Sequence, residues 1–205
     1  MKFILGTKVN MIQYFSDDGK VHPATVISAG PVTVTQVKNE DDKNKYNAVQ
    51  VGFGEQKESR LTKAEKGHLK DIGSFKHLKE FRVAKTEAAN FKKGDKIDVS
   101  IFGKGDEVEV SGVSKGKGFQ GVIKRHGFHG GPRSHGQKHS ERAPGSIGGG
   151  LRTHVPKGMR MGGRMGSDRI TVKHLTVLEV DKDNNTMLIS GALPGRRGTL
   201  VEVRS

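Results

Sequence analysis

The sequence predicts a mainly β fold: a small closed β-barrel body, interrupted by a long basic, glycine-rich extension inserted between two of its strands, with one short helix. Three observations predict it. Short runs rich in β-branched residues recur on both sides of the middle of the chain. Only one stretch carries helix-start signals. Between Lys115 and Gly166 the composition changes abruptly, with 15 glycines, 11 Lys or Arg and a single acid, Glu141, in 52 residues.

Taken in order, Val21 to Val37 is rich in Val, Thr and Ile and is divided by Gly30-Pro31 into two strands. The alternation in Val32-Thr33-Val34-Thr35-Gln36-Val37 predicts a sheet with one buried face. Lys38 to Lys45, with Asn39-Glu40-Asp41-Asp42, reads as a solvated loop. Ala48 to Phe53 is a further strand. Thr62 to Asp71 is the helix, with Thr62 as N-cap and Glu65 at the capping-box position. Lys96 to Phe102 and Glu107 to Val110 are read as strands, the second with its acids facing outward. After the basic segment, Ile170 to Val180 and Thr186 to Ser190 form two strands joined by Asp183-Asn184-Asn185, whose asparagines accept a positive φ. Leu200 to Val203 is the last strand. Closing these strands into a barrel removes exposed edges.

Because strands of one character flank the basic segment, residues 1–115 and 167–205 are expected to form the barrel body and 116–166 an insertion. A structureless connection of that length is functional or disordered. The chain carries a net charge of +14, of which the segment from Lys115 to Gly166 holds +10. Such a segment has too little apolar surface to offset its conformational entropy by burial, so it is expected to order against a polyanion.

Nucleic acid is the polyanion that fits. No apolar run reaches the roughly 20 residues of a membrane span, and glycines every few residues prevent an interfacial amphipathic helix. The chain has no cysteine, which excludes disulfides and thiolate-bound zinc. The N-terminal Met1-Lys2-Phe3-Ile4-Leu5-Gly6 lacks the apolar core of a signal peptide, so a cytoplasmic location is expected.

Two motifs invite other readings. Gly116-Lys117-Gly118-Phe119-Gln120-Gly121 matches a dinucleotide fingerprint, with Glu141 20 residues beyond. That fingerprint must open a helix, whereas Gly127, Gly130, Gly131 and Pro132 follow at once, and interior Gly and Pro cost about 1 and 3 kcal/mol. No nucleotide cofactor is therefore expected. His126, His129, His135 and His139 are closely spaced, but zinc sites usually join His with Cys or carboxylate at tight spacings and these would hang on a glycine-rich strand full of repelling Arg and Lys, so they are read as phosphate or base contacts and no metal is expected. Ser134 beside His135 and Ser140 beside Glu141 do not assemble a nucleophile with base and orienter, and the chain is not expected to be an enzyme.

The chemistry instead points to RNA. Glycine lets backbone N–H groups approach phosphates, and arginine binds phosphate bidentately or stacks on bases. The residues assigned to RNA contact are Lys115, Lys117, Gly118, Phe119, Lys124, Arg125, His126, His129, Arg133, His135, Lys138, His139, Arg142, Ser146, Gly148, Arg152, Lys157, Arg160 and Arg164. Gly116, Gly118, Gly121, Gly148, Gly149 and Gly150 are expected to permit close approach. Phe119, Phe128, Met159, Met161 and Met165 can pack in small pockets or against bases.

Several segments resemble the large-subunit ribosomal protein L three family in its bacterial form. They are Gly6-Thr7-Lys8-Val9-Asn10-Met11, Pro31-Val32-Thr33-Val34, Ser114-Lys115-Gly116-Lys117-Gly118-Phe119-Gln120-Gly121, Pro144-Gly145-Ser146-Ile147-Gly148, Gly158-Met159-Arg160-Met161-Gly162-Gly163-Arg164-Met165-Gly166 and Gly191-Ala192-Leu193-Pro194-Gly195. The resemblance implies a translation-factor-like β-barrel on the subunit exterior and a basic extension running into the rRNA toward the peptidyl transferase centre. It also implies direct binding near the 3′ end of the large rRNA, early nucleation of subunit assembly, and ribosomal proteins L fourteen and L nineteen as neighbours. This chain departs from the family pattern at Gly149, where many bacterial members carry a methylated glutamine, at His126, where relatives often place an aromatic, and at Asn10, where glycine is usual. The other reading of the same composition is a non-ribosomal RNA-binding or RNA-chaperone protein with a disordered basic arm.

Overall fold

The structure is a computed structural model that describes residues 1–40, 46–70, 72–149 and 153–205. Its described residues divide into two compact units, Met1–Val113 with Arg169–Ser205, and Ser114–Asp168.

The first unit is built from ten strands: β1 (Phe3–Phe15), β2 (Val21–Ala29), β3 (Val32–Lys38), β4 (Ala48–Glu55), β5 (Phe75–Arg82), β6 (Lys96–Ile97), β7 (Glu107–Val113) and, after the second unit, β10 (Arg169–Asp181), β11 (Thr186–Ser190) and β12 (Leu200–Arg204). The second unit holds β8 (Phe119–Gln120) and β9 (Gly163–Arg164). Six strands close a barrel in the order β1-β12-β7-β10-β11-β2, and the remaining four of the first unit form a separate sheet in the order β5-β4-β3-β6. The barrel thus uses the beginning and the end of the sequence. Its seam is the antiparallel β1–β12 ladder, in which Phe3 faces Arg204 and Thr7 faces Leu200.

Strand alternation puts one face of each strand inside. Ile27, Val110, Val177, Met187, Ile189, Val201 and Val203 are fully or nearly fully buried, and one continuous apolar cluster takes in both the barrel and the four-stranded sheet. The two are joined by Phe3 of β1, which stacks on Phe81 of β5 at 4.5 Å between ring centroids and tilts against Phe91 at 5.6 Å. Offset aromatic pairs of this kind add to simple area burial.

Most expected elements are present, with instructive differences. The Gly30-Pro31 break separates β2 from β3, and Asn185 has φ +49° in the β10–β11 turn, where Asp181 Oδ1 accepts the Asp183 and Asn184 N–H groups at 3.0 and 3.2 Å. The expected helix is α1 (Lys63–His68). Thr62 Oγ1 accepts the Glu65 N–H at 3.3 Å, and the Glu65 carboxylate accepts the Thr62 N–H at 2.9 Å, completing the capping box. Asp71, and residues 41–45 of the expected loop, lie outside the described residues.

Lys96 to Phe102, expected as one strand, is corrected: only Lys96 and Ile97 pair with β3, and Val99–Ile101 turn into a 3-10 helix. Val99 and Phe102, three residues apart, are both buried by that turn, which an extended chain would have pointed to opposite faces. Two further helices add to the single one expected, α2 (Lys85–Ala88) and α3 (Val122–His126). None of the helices among the described residues is long and apolar enough to cross a membrane.

Candidate nucleic-acid interface

The strands β7 and β10 are neighbours in the barrel, with Val113 opposite Arg169. The residues between them, Ser114–Asp168, form the second unit, and its two limbs begin as an antiparallel stem. The Ser114 N–H donates to the Asp168 carbonyl at 2.9 Å, the Lys117 N–H to the Met165 carbonyl at 2.9 Å and the Met165 N–H to the Gly118 carbonyl at 3.0 Å. Then β8 pairs with β9, Phe119 opposite Arg164 and Gln120 opposite Gly163.

At Gly121 the outgoing limb turns into α3, although the glycines that follow are expected to keep a helix from opening. The five residues Val122–His126 contain no glycine, and Gly127 ends them in a left-handed conformation (φ +74°) with its N–H bonded to the Ile123 carbonyl at 2.9 Å. Glycine in this position is a helix stop rather than an interior defect. The helix is too short, and β8 before it too brief, for the strand-turn-helix unit that a dinucleotide site requires.

From α3 two side chains reach back to the returning limb. Arg125 Nη1 donates to the Met161 carbonyl at 2.8 Å, and His126 Nε2 lies 3.0 Å from the same oxygen. A Cβ at Gly163 would come within 2.7 Å of Arg125 Nη1, so the bare backbone of Gly163 is what lets the guanidinium lie across the stem. Further out, the Gly131 N–H donates to the Glu141 carbonyl at 2.8 Å, and the Glu141 carboxylate pairs with Arg133 at 2.6 Å. Gly130 (φ +78°) lies so close to the Glu141 carbonyl that a Cβ there would collide with it.

The energetics of this unit are unusual. Val122 is its only buried side chain among the described residues. Nine of the cations assigned to RNA contact, Lys115, Lys117, Lys124, Arg133, Lys138, Arg142, Lys157, Arg160 and Arg164, are exposed, while Arg125 is half-buried. Two of the nine meet a carboxylate, Arg133 at Glu141 and Arg164 at Asp168 (3.7 Å). The other seven have no carboxylate partner among the described residues. No carboxylate among the described residues relieves their mutual repulsion, and a polyphosphate would.

The remaining assigned residues fall as follows. Phe119 is 79% exposed. His129, His135 and His139 are exposed, and no group of three His, Asp or Glu side chains among the described residues is placed to hold a metal. The Ser146 hydroxyl donates to the Gly148 carbonyl at 3.1 Å. A Cβ added at Gly118, Gly121, Gly148 or Gly149 would meet nothing within 4 Å, whereas one at Gly116 would lie 3.0 Å from Ser167 Oγ. Arg152 and Gly150 lie outside the described residues. Sequence reasoning missed the glycines that hold the unit together, Gly130 and Gly163, and the carbonyls of Met161 and Glu141. These interactions join residues about 10 to 40 positions apart in a segment without the periodicity that regular elements impose, so no local pattern announces them.

Residues 80–193, more than half of the chain, match the family described as ribosomal protein L3. The chain belongs to the ribosomal protein L3 family. It is 48% identical over 203 residues to the large ribosomal subunit protein uL3 of Roseiflexus sp., covering 98% of this chain and 95% of the relative. It is 47% identical over 206 residues to the uL3 of Finegoldia magna, covering 100% and 97%, and 45% identical over 204 residues to the large ribosomal subunit protein uL3c of Guillardia theta, covering 98% of each. The match to the ribosomal protein L3 family contains α3, the glycine approaches and all nine of the exposed cations, as well as the barrel strands β7, β10 and β11.

Proposed function

We propose that this chain is a structural constituent of the large ribosomal subunit, in the cytoplasm, and that it binds the large-subunit rRNA directly through residues 116–166. The observation that carries the reading is the second unit itself: among its described residues, one buried side chain against nine exposed cations. Its backbone is held by a few cross-limb hydrogen bonds, and the missing cohesion is what phosphates packed around it would supply. In this reading the barrel lies on the subunit surface while the extension threads between RNA helices toward the peptidyl transferase centre. Binding falls near the 3′ end of the rRNA, nucleates early assembly, and leaves ribosomal proteins L fourteen and L nineteen as neighbours, as the family resemblance implies. The chain contributes architecture and no catalytic group.

The test is crosslinking with mass spectrometry on large subunits assembled with this protein and washed at high salt. Stoichiometric retention, with crosslinks from residues 115–166 to interior rRNA, is the expected result. Loss of the protein in the wash, or crosslinks confined to the barrel, would move it to the class of RNA chaperones that only visit ribosomal particles.

A further inference from the structure

Inside the second unit, the turn after α3 and the strap that crosses it enclose a cleft of about 780 Å³, within the size range of small-molecule sites. One wall is the run from His126 to Gly131, with the Phe128 ring tilted against the His126 ring at 6.0 Å between centroids. Gln137, Ser140, Ala143, Pro144 and Gly145 of the strap line the cleft as well, with Arg160 of the returning limb. The two segments are tied together by the Gly131 N–H on the Glu141 carbonyl and by the Arg133–Glu141 ion pair. His126 is fixed in turn by its contact with the Met161 carbonyl.

We propose that this cleft receives one unstacked nucleobase of the RNA. The inference rests on the rRNA-binding reading above and adds to it one defined site for a base. Its lining decides the ligand class. A phosphate needs cations and N–H groups but no aromatic wall. An amine needs a carboxylate, and no Asp or Glu among the described residues lines the cleft; a metal needs three or more ligands, and no group of three His, Asp or Glu among the described residues is placed to hold one. A base presents a flat π face to Phe128 and the imidazoles, and edge donors and acceptors to the Gln137 amide and the Ser140 hydroxyl, with Arg160 placed to stack or to hold the attached phosphate.

The experiment compares binding of the full chain to single-stranded RNA about a dozen nucleotides long with binding to an abasic ribose-phosphate oligomer of the same length and charge. The base-bearing strand is expected to bind about tenfold tighter, in the range of one stacked base. Phe128→Ala should remove that preference, and Phe128→Tyr should keep it, while both leave the salt dependence of binding unchanged. Equal affinity of the wild type for the two oligomers, or a preference that survives in Phe128→Ala, overturns the cleft assignment with the phosphate reading intact. Absence of salt-dependent binding to either oligomer overturns the rRNA reading and the cleft together.

Discussion

Glu80 has three donors on one carboxylate: Lys38 Nζ at 2.5 Å, Tyr46 Oη at 3.0 Å and Gln50 Nε2 at 3.3 Å. Burial pushes its carboxyl up, but the bonds from Lys38 and Tyr46, with the Lys38 charge, outweigh that and hold it below the usual 4.5. Lys38 is held above its usual 10.5, chiefly by the same bond. A depressed folded-state carboxyl stabilises the fold above its unfolded pKa, and that contribution is lost as pH falls through the lower folded value. A raised lysine does the reverse, losing its contribution as pH rises beyond 10.5. Glu80→Gln is therefore expected to lower stability by about 1 kcal/mol or less near neutrality, because the pair is partly solvated. In urea titrations the gap from the wild type should close as the pH drops below 4.5. A gap that stays constant down to about pH 3, beyond the usual carboxylate range, would show that the carboxylate's charge does not matter there. In the second unit the decisive residue is Gly130. An alanine there bears the left-handed backbone cost of about 1–2 kcal/mol and a collision with the Glu141 carbonyl. Gly130→Ala should raise hydrogen exchange and proteolytic nicking between residues 114 and 168 and leave the barrel's thermal transition unmoved.

At the level of elements, legibility followed local pattern. The runs that became β3, β7 and β12 carry β-branched residues at alternating positions, from which a buried face follows, and those that became β2, β4, β10 and β11 are marked by apolar and β-branched content between turn residues. The strand β5, Phe-Lys-His-Leu-Lys-Glu-Phe-Arg, has no β-branched residue. Its only fully buried side chain is Phe81, and its order comes from pairing along β4, a tertiary cause that no window of sequence contains. No part of β1 was expected from the sequence, and Gly6 lowers strand propensity in its first half. The structure shows why the glycine is there: a Cβ would lie 2.5 Å from Ile27 Cγ2 and 2.8 Å from the Ser28 carbonyl. Gly6 stands where β1 pairs with Ala29 of β2 and Val201 of β12, at the seam that closes the barrel. Gly6→Ala is expected to destabilise the barrel by about 1–3 kcal/mol, as overpacking of a filled interior does, and the check is a lowered thermal midpoint of the intact chain. An unchanged midpoint would mean that β1 and β2 separate there without cost.

For the whole molecule, charge and cohesion are divided between the two parts of the chain. Outside the stretch from Lys115 to Gly166 there are 25 bases against 21 acids, an ordinary mixed surface over a filled core, while that stretch itself carries a net +10. That division was legible from composition, because excess charge and missing apolar residues are additive quantities that do not depend on which residues meet. The internal architecture of the second unit was not, since it depends on single glycines facing distant carbonyls. The connectivity permits a direct test of whether the parts are separable. Val113 and Arg169 already face each other on paired strands, so replacing residues 115–166 by a short glycine-containing turn asks the barrel only to close a hairpin. The shortened chain is expected to keep a single cooperative unfolding transition. It gives up 11 bases and one acid, and every phosphate that it no longer neutralises should reduce the slope of log affinity against log salt by about 0.7–0.9. The slope should therefore fall by several units, and affinity for large-subunit rRNA should collapse at moderate salt. An unfolded product would show that the barrel needs the insertion for its own stability. An unchanged slope in a folded product would move the RNA-binding surface onto the barrel.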